Sequence, residues 1–265
     1  MTPEKPALLF FDADGTLIDE EKHAVPQDTA EAVREARNNG HLVFLNTGRP
    51  FGHTARDVLA IGFDGHLCAC GMYIRIGDEI IEDVRLDPEY CRQLRDTATE
   101  QGLQIVCESQ DAWFYDAAHL NLPWITQEME TVSKTGARIF GSLDMPEFRF
   151  EKFLVMNTPS TGWPSFRESI AEDFTIIDRG LFYECVPKGY SKATAIRKVL
   201  AYLHMEDAET YAFGDSSNDV EMLDMVKHPV IMDSAPDDLK KGKYYVTGSA
   251  GEHGIVFAFR HFGII

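Results

Sequence analysis

Residues 7–16, ALLFFDADGT, decide how the fold is read. An apolar run, Ala7–Phe11, stops at Asp12; a second carboxylate follows at Asp14, and Gly15 permits a sharp turn. A short apolar run that ends in a turn predicts a strand buried on both faces. Two carboxylates where such a strand ends repel each other. At least one must be neutralised by a proton, a cation or a metal.

Working outward, the same arrangement recurs twice. His41–Leu45 is a second apolar run, stopping at Asn46-Thr47-Gly48-Arg49-Pro50, and Thr210–Phe213 stops at Gly214-Asp215-Ser-Ser-Asn218-Asp219. Helical spacing predicts helices over Pro26–Asn39, Phe51–Ala60, Ser191–His204, Val220–Val226 and Ile255–Phe262. Short strands are expected at His66–Cys70, Tyr73–Ile76, Val230–Met232 and Tyr244–Val246. Strand–helix alternation of this kind predicts an α/β class with a Rossmann-like parallel-sheet core.

The rhythm changes near Val84. Asp87-Pro88 is a strong helix start, with a cap residue before proline at the first helical position. Strands follow at LQIVCES (103–109) and AWFYD (112–116), then a helix near Ile125–Lys134, a strand at Phe148–Met156 and a helix at Pro164–Glu172. Phe174–Val186 reads as a hairpin turning at Asp178–Gly180. The expected organisation is a core of 1–84 and 186–265 with an α+β domain, 85–185, inserted between.

Composition bounds the function. With 43 acidic against 25 Lys and Arg residues, the net charge of −18 disfavours nucleic acid and anionic membranes as partners. An anionic substrate would then need local positive groups. No apolar stretch reaches the roughly 18 residues of a membrane span, and MTPEKPALL lacks a signal-like pattern. Five cysteines without a C-x-x-C pair predict free thiols in a cytoplasmic protein.

Ligands bind at the carboxyl ends of strands in open parallel sheets. The three loops supply Asp12, Asp14, Thr47, Asp215 and Asp219 to that edge. An all-oxygen set suits a hard cation, Mg²⁺ first. An EF-hand is excluded: its sixth and twelfth positions, counted from Asp12, are Leu17 and His23, and from Asp215 they are Val220 and Val226. A serine-hydrolase elbow needs glycine where Asn218 stands, and neither nucleotide-loop pattern occurs. Lys192 follows the N-cap candidate Ser191, against the usual preference of lysine for a helix's other end. A lysine so placed is accounted for if it faces an anion.

These motifs, Asp12-Ala-Asp14-Gly15-Thr16-Leu17, Thr47-Gly48-Arg49, Ser191-Lys192 and Gly214-Asp215-Ser-Ser-Asn218-Asp219, resemble the four ordered motifs of the haloacid dehalogenase superfamily. More narrowly, the chain resembles the Cof-like phosphatases, which carry an α+β cap between the second and third motifs. The resemblance implies Asp12 as nucleophile, Asp14 as general acid and base, and Thr47 and Lys192 as catalytic groups. Thr47, Gly48, Lys192 and Asn218 would hold the substrate phosphate. Mg²⁺ would sit among Asp12, Asp14 (through its carbonyl), Asp215 and Asp219, the last supporting the site.

The resemblance also implies that Asp14 sets the chain with phosphatases and phosphomutases, apart from relatives that lack a carboxylate there. The expected substrate is a small phosphorylated metabolite, the expected state a monomer or homodimer. A phosphomutase and a non-catalytic metabolite sensor are the alternatives. Two departures from the family pattern stand out: Cys70-Gly71 where Asn-Gly is common, and Asp233-Ser234 in the C-terminal motif. Trp113, Phe114, Tyr115, Trp124 and Trp163 are candidates to line a substrate pocket, or ordinary core residues.

Overall fold

The computed structural model describes residues 6–120 and 122–265. The N-terminal residues 1–5, read above for a leader, lie outside the described residues. The chain forms two compact units. One comprises the chain up to Gly48, Arg56–Glu82 and Ser191–Ile265; the other comprises Arg49–Ala55 and Asp83–Tyr190.

The first unit begins with β1 (Leu8–Phe11), α1 (Gln27–Asn38), β2 (Leu42–Asn46), α2 (Arg56–Leu59), β3 (Gly65–Cys68), β4 (Tyr73–Ile76) and β5 (Glu79–Asp83). The second contains α3 (Pro88–Glu100), β6 (Ile105–Glu108), β7 (Ala112–Tyr115), α4 (Pro123–Thr135) and β8 (Arg138–Phe140). It continues with β9 (Lys152–Met156), α5 (Trp163–Ile170), β10 (Phe174–Asp178) and β11 (Phe182–Pro187). The first unit resumes with α6 (Lys192–Leu203), β12 (Thr210–Gly214), α7 (Val220–Met225), β13 (His228–Met232), α8 (Asp237–Lys240), β14 (Tyr245–Thr247) and α9 (Gly254–Phe262).

The first sheet runs β14-β13-β12-β1-β2-β3-β4-β5. Pairing is parallel from β14 to β3 and turns antiparallel at β3–β4. β1 is central because both its faces are apolar. Leu8 and Phe10 join Ala195, Ile196 and Val199 of α6 and Met222 and Leu223 of α7 in one core cluster. Phe11 on the other face stacks on Phe213, centroids 4.7 Å apart, and meets the edge of Phe259 of α9. Each such buried side chain contributes roughly 1.5–3 kcal/mol. The chain leaves β1 for β2 on one side and later returns to β12 on the other. The loops after these strands therefore flank a switch point, where open α/β sheets bind ligands.

The second sheet runs β10-β11-β9-β6-β7-β8, antiparallel except between β7 and β8. Alternation along β6 and β9 sorts its side chains. Ile105, Cys107, Phe153 and Val155 pack with α3 and α5, whereas Val106, Leu154 and Met156 pack with Ile125 and Val132 of α4. α3 begins where the sequence places it, with Asp87 accepting from Glu89 N–H at 2.8 Å and Tyr90 N–H at 3.2 Å.

Three expectations change, and the core reading of the aromatics holds for Trp113 and Phe114. Phe51–Ala60 is not one helix but a 3-10 turn, Phe51–His53, then an extended Thr54 and the short α2. The run His66–Cys70 leaves the sheet at Cys68, because Ala69 and Cys70 adopt positive φ. Phe148–Phe150 precede β9 outside the ladder; Phe148 and Phe150 are core side chains there. Trp113 and Phe114 are buried core residues, and Trp124 and Trp163 stack on Phe182 and Tyr183. All five cysteines are buried thiols. Among the described residues no helix is long and apolar enough to cross a membrane.

Candidate active site

β1 delivers Asp12 to the sheet edge, where its N–H donates to Phe213 O at 3.0 Å, extending the β1–β12 ladder by one bond. Gly15, at φ +73°, makes the following turn possible. A side chain there would begin 2.6 Å from Asp215 Cγ, so only glycine lets the first and fourth motifs approach. Asp14 is half-buried and forms a bridge with Ile18.

Lys192 is the first residue of α6. Ser191 caps that helix in a reciprocal pair: Thr194 N–H donates to Ser191 Oγ at 3.3 Å, and Ser191 N–H donates to Thr194 Oγ1 at 2.8 Å. Lys192 Nζ donates to Asp12 Oδ1 at 2.5 Å and Asp219 Oδ1 at 2.6 Å, with the lysine only 2% exposed. Burial alone would lower its pKa; Asp12 and Asp219 outweigh burial and hold it above the ordinary lysine value. Lys192 is therefore cationic throughout the physiological range.

Asp12, Asp215 and Asp219 each bring one carboxylate oxygen within 4.8 Å of the others. Lys192 does not balance all three. Desolvation, only partly offset by Lys192, pushes Asp12 up to about 7, with Asp219 and Asp14 adding to the rise. Asp215 is pushed up to about 8 by burial and by the charges of Asp12 and Asp219.

Asp219 is already engaged: Oδ2 accepts from Asp215 N–H at 3.0 Å and Ser216 N–H at 3.1 Å, while Oδ1 takes Lys192. Asp215 Oδ1, by contrast, is buried without a partner among the described residues. The set thus has a negative excess and an acceptor oxygen to spare. Both features fit a hard divalent cation.

Thr47 is buried at the end of β2, its N–H donating to Leu67 O at 2.8 Å and its carbonyl accepting from Cys70 N–H at 3.2 Å. Cys70 occupies the left-handed region (φ 55°, ψ 33°), which asparagine tolerates better than most residues. Gly71 is required by packing, since a Cβ would lie 2.8 Å from Ala195 Cβ of α6. Gly48 follows Thr47 half-buried, and Asn218 Oδ1 accepts from Ser216 Oγ at 2.5 Å.

The carboxylate trio and Lys192 are thus brought together by side-chain geometry. The Asp14 carboxylate is not part of the trio. Sequence reading missed Asn46, which is buried and donates through Nδ2 to Lys192 O at 3.0 Å, tying β2 to the start of α6. A polar residue closing an apolar strand was the available signal.

A parallel sheet that gathers carboxylates and a buried lysine at its switch point is suited to phosphoryl transfer. The profile of the haloacid dehalogenase-like hydrolase family matches residues 9–259. YkrA of Bacillus subtilis (strain 168) is 29% identical over 97% of this chain and 98% of its own length. HMP-PP phosphatase of Yersinia enterocolitica is 25% identical over 96% of this chain and 94% of its own. The solved structure of the HAD subclass IIB sugar phosphatase BT4131 superposes with a TM-score of 0.81 at 25% identity, covering 98% of this chain and 100% of that one. The chain belongs to the haloacid dehalogenase-like hydrolases, as a phosphatase of the Cof-like type.

Proposed function

We propose that this protein hydrolyses phosphate monoesters of small metabolites, a sugar phosphate or a phosphorylated cofactor, through an aspartyl-phosphate on Asp12. The observation that carries the reading is the Asp12 carboxylate, clamped by Lys192 and close to Asp215, whose Oδ1 lacks a hydrogen-bond partner among the described residues. Mg²⁺ would be held by the Asp12 and Asp215 carboxylates and the Asp14 carbonyl, and would supply neutralising charge for the phosphoryl oxygens. Asp219 supports the site by fixing Lys192 and the Asp215 loop.

In the first step a carboxylate oxygen of Asp12 attacks phosphorus, and the bond from phosphorus to the ester oxygen breaks. That oxygen keeps the electron pair and takes a proton from the Asp14 carboxyl group. In the second step water attacks the aspartyl-phosphate, giving its proton to the Asp14 carboxylate. The bond from phosphorus to Asp12 breaks and inorganic phosphate leaves. Splitting one displacement in two is what a carboxylate nucleophile contributes. Positioned acid–base catalysis adds roughly 10²–10⁴-fold.

Thr47, the Gly48 N–H, Asn218 and Lys192 would hold the phosphoryl oxygens, so that positioning and charge neutralisation carry most of the catalysis. The second unit, read from sequence as an inserted cap, would select the leaving group. The HMP-PP and sugar phosphatases among its relatives support a small phosphorylated substrate. Five reduced thiols support a cytoplasmic location.

Phosphate release from about a hundred phosphorylated metabolites, with Mg²⁺, with EDTA and with Asp12→Asn, tests the reading. Metal-dependent release from a few related esters, absent in the variant, is expected. Release that survives both EDTA and Asp12→Asn would overturn it.

A further inference from the structure

Within two peptide bonds the chain passes from anchors in the first unit to anchors in the second. Thr47 is fixed on both its N–H and its carbonyl, to Leu67 and Cys70 of the first unit. Arg49–Ala55 groups with the second unit. Several attachments hold this strap there. Arg49 Nη1 pairs with Glu128 Oε1 of α4 at 3.0 Å. The Phe51 N–H donates to Gln110 Oε1 at 3.1 Å, and the Gly52 N–H donates to Gln110 O at 2.8 Å. Thr135 Oγ1, at the end of α4, donates to Gly52 O at 2.7 Å. Any side chain at position 52 would collide with Gln110 O, so the close approach depends on glycine.

Gln110 lies in the turn between β6 and β7, which is closed independently by Ser109 N–H donating to Ala112 O at 2.8 Å. Its side-chain amide oxygen is not needed to form that hairpin. It is used on the strap.

We infer that Gln110 is a positioning residue for phosphate binding: by clamping Phe51–Gly52 it fixes the strap whose upstream end carries Thr47 and Gly48. Consecutive Cα atoms are held about 3.8 Å apart, so two bonds from Arg49 to Thr47 leave little slack. A displaced strap must be absorbed at Gly48 or passed to Thr47. The clamp on Phe51–Gly52 thereby acts on Thr47 and Gly48 through the chain itself. The kinetic consequence rests on the phosphatase reading above; the mechanical claim does not.

The test compares Gln110→Met, which keeps length but loses the acceptor, with Gln110→Glu, which keeps an acceptor oxygen. Loss of one hydrogen bond corresponds to about a 3- to 10-fold change. Gln110→Met should raise KM for p-nitrophenyl phosphate and the inhibition constant of inorganic phosphate together by that factor, and Gln110→Glu should restore both. Amide hydrogen exchange supplies a readout independent of turnover. In Gln110→Met, exchange should accelerate at Thr47 and Cys70 as well as at Phe51 and Gly52.

Acceleration confined to Phe51 and Gly52, or unchanged phosphate inhibition in an active Gln110→Met, would overturn the proposal. If the wild type releases no phosphate, the functional reading fails, while exchange at Thr47 and Cys70 still decides the strap. Gly52→Ala, whose Cβ would meet Gln110 O and so push the strap off Gln110, should reproduce the exchange pattern if Gln110→Met does not fold.

Discussion

Each unit buries a lysine between two carboxylates, and the two clusters behave oppositely. Lys192 lies 2.5 Å from Asp12 and 2.6 Å from Asp219; Lys152 lies 2.7 Å from both Glu108 and Glu184. In the second unit Arg179 adds a positive charge on Glu184 at 2.8 Å, and Trp113 Nε1 donates to Glu108 at 2.9 Å. Two cations then face two anions. Burial raises the Glu184 pKa, but Lys152 and Arg179 outweigh it and pull it down to about 2; Glu108, also opposed by burial, is lowered by Lys152 and His53.

In the first unit Asp215 joins Asp12 and Asp219 around Lys192, three carboxylates to one lysine, and Asp12 and Asp215 rise to about 7 and 8. A balanced buried network is structural. An unbalanced one, with an acceptor oxygen left over, is a site that needs something added.

The largest contrast should come from removing one carboxylate charge in each cluster. Asp12→Asn should lower phosphate release by at least roughly 10⁴-fold without loss of fold, as expected for a nucleophile. Glu184→Gln should act on stability and retain most of the turnover of a minimal ester. Equal kinetic losses in the two variants would break the distinction.

Next in size is Lys152→Met, which strands Glu108 and Glu184. Breaking a buried pair costs about 3–5 kcal/mol. Urea denaturation should show that loss, with Mg²⁺ giving no recovery. Recovery on adding Mg²⁺ would mean that the second cluster also accepts a cation.

The smallest effect sharpens the comparison through pH. Asp12 and Asp215 have raised pKa values in the folded, metal-free protein, so their stabilising contribution is complete below about 3.8 and is lost as pH rises through about 7 to 8. Melting of the metal-free protein should weaken between pH 5 and 9 on that account. Mg²⁺ should reduce the slope, because a cation favours the ionised carboxylates. A slope indifferent to Mg²⁺ would count against the excess-charge reading.

The sequence made the first cluster legible and hid the second, for a physical reason. Asp12 and Asp215 sit where apolar strands end and Lys192 where a capped helix begins, so their abrupt polarity marks them. Lys152 opens a strand, KFLVM, and nothing in its spacing shows that it faces inward beside Glu108, its register partner on β6. Helix α3 was readable because Asp87-Pro88 carries its own cap chemistry. β5, Glu79–Asp83, was not, since its exposed acidic residues mask the alternation of an edge strand. The break at Phe51–Ala60 depends on Gly52 meeting Gln110, a contact between segments far apart in sequence.

The most direct test is calorimetric titration of Mg²⁺ into the wild type, Asp215→Asn and Glu184→Gln. The account predicts one Mg²⁺ per chain in the wild type and in Glu184→Gln, with affinity lost in Asp215→Asn. Unchanged Mg²⁺ binding by Asp215→Asn would contradict it.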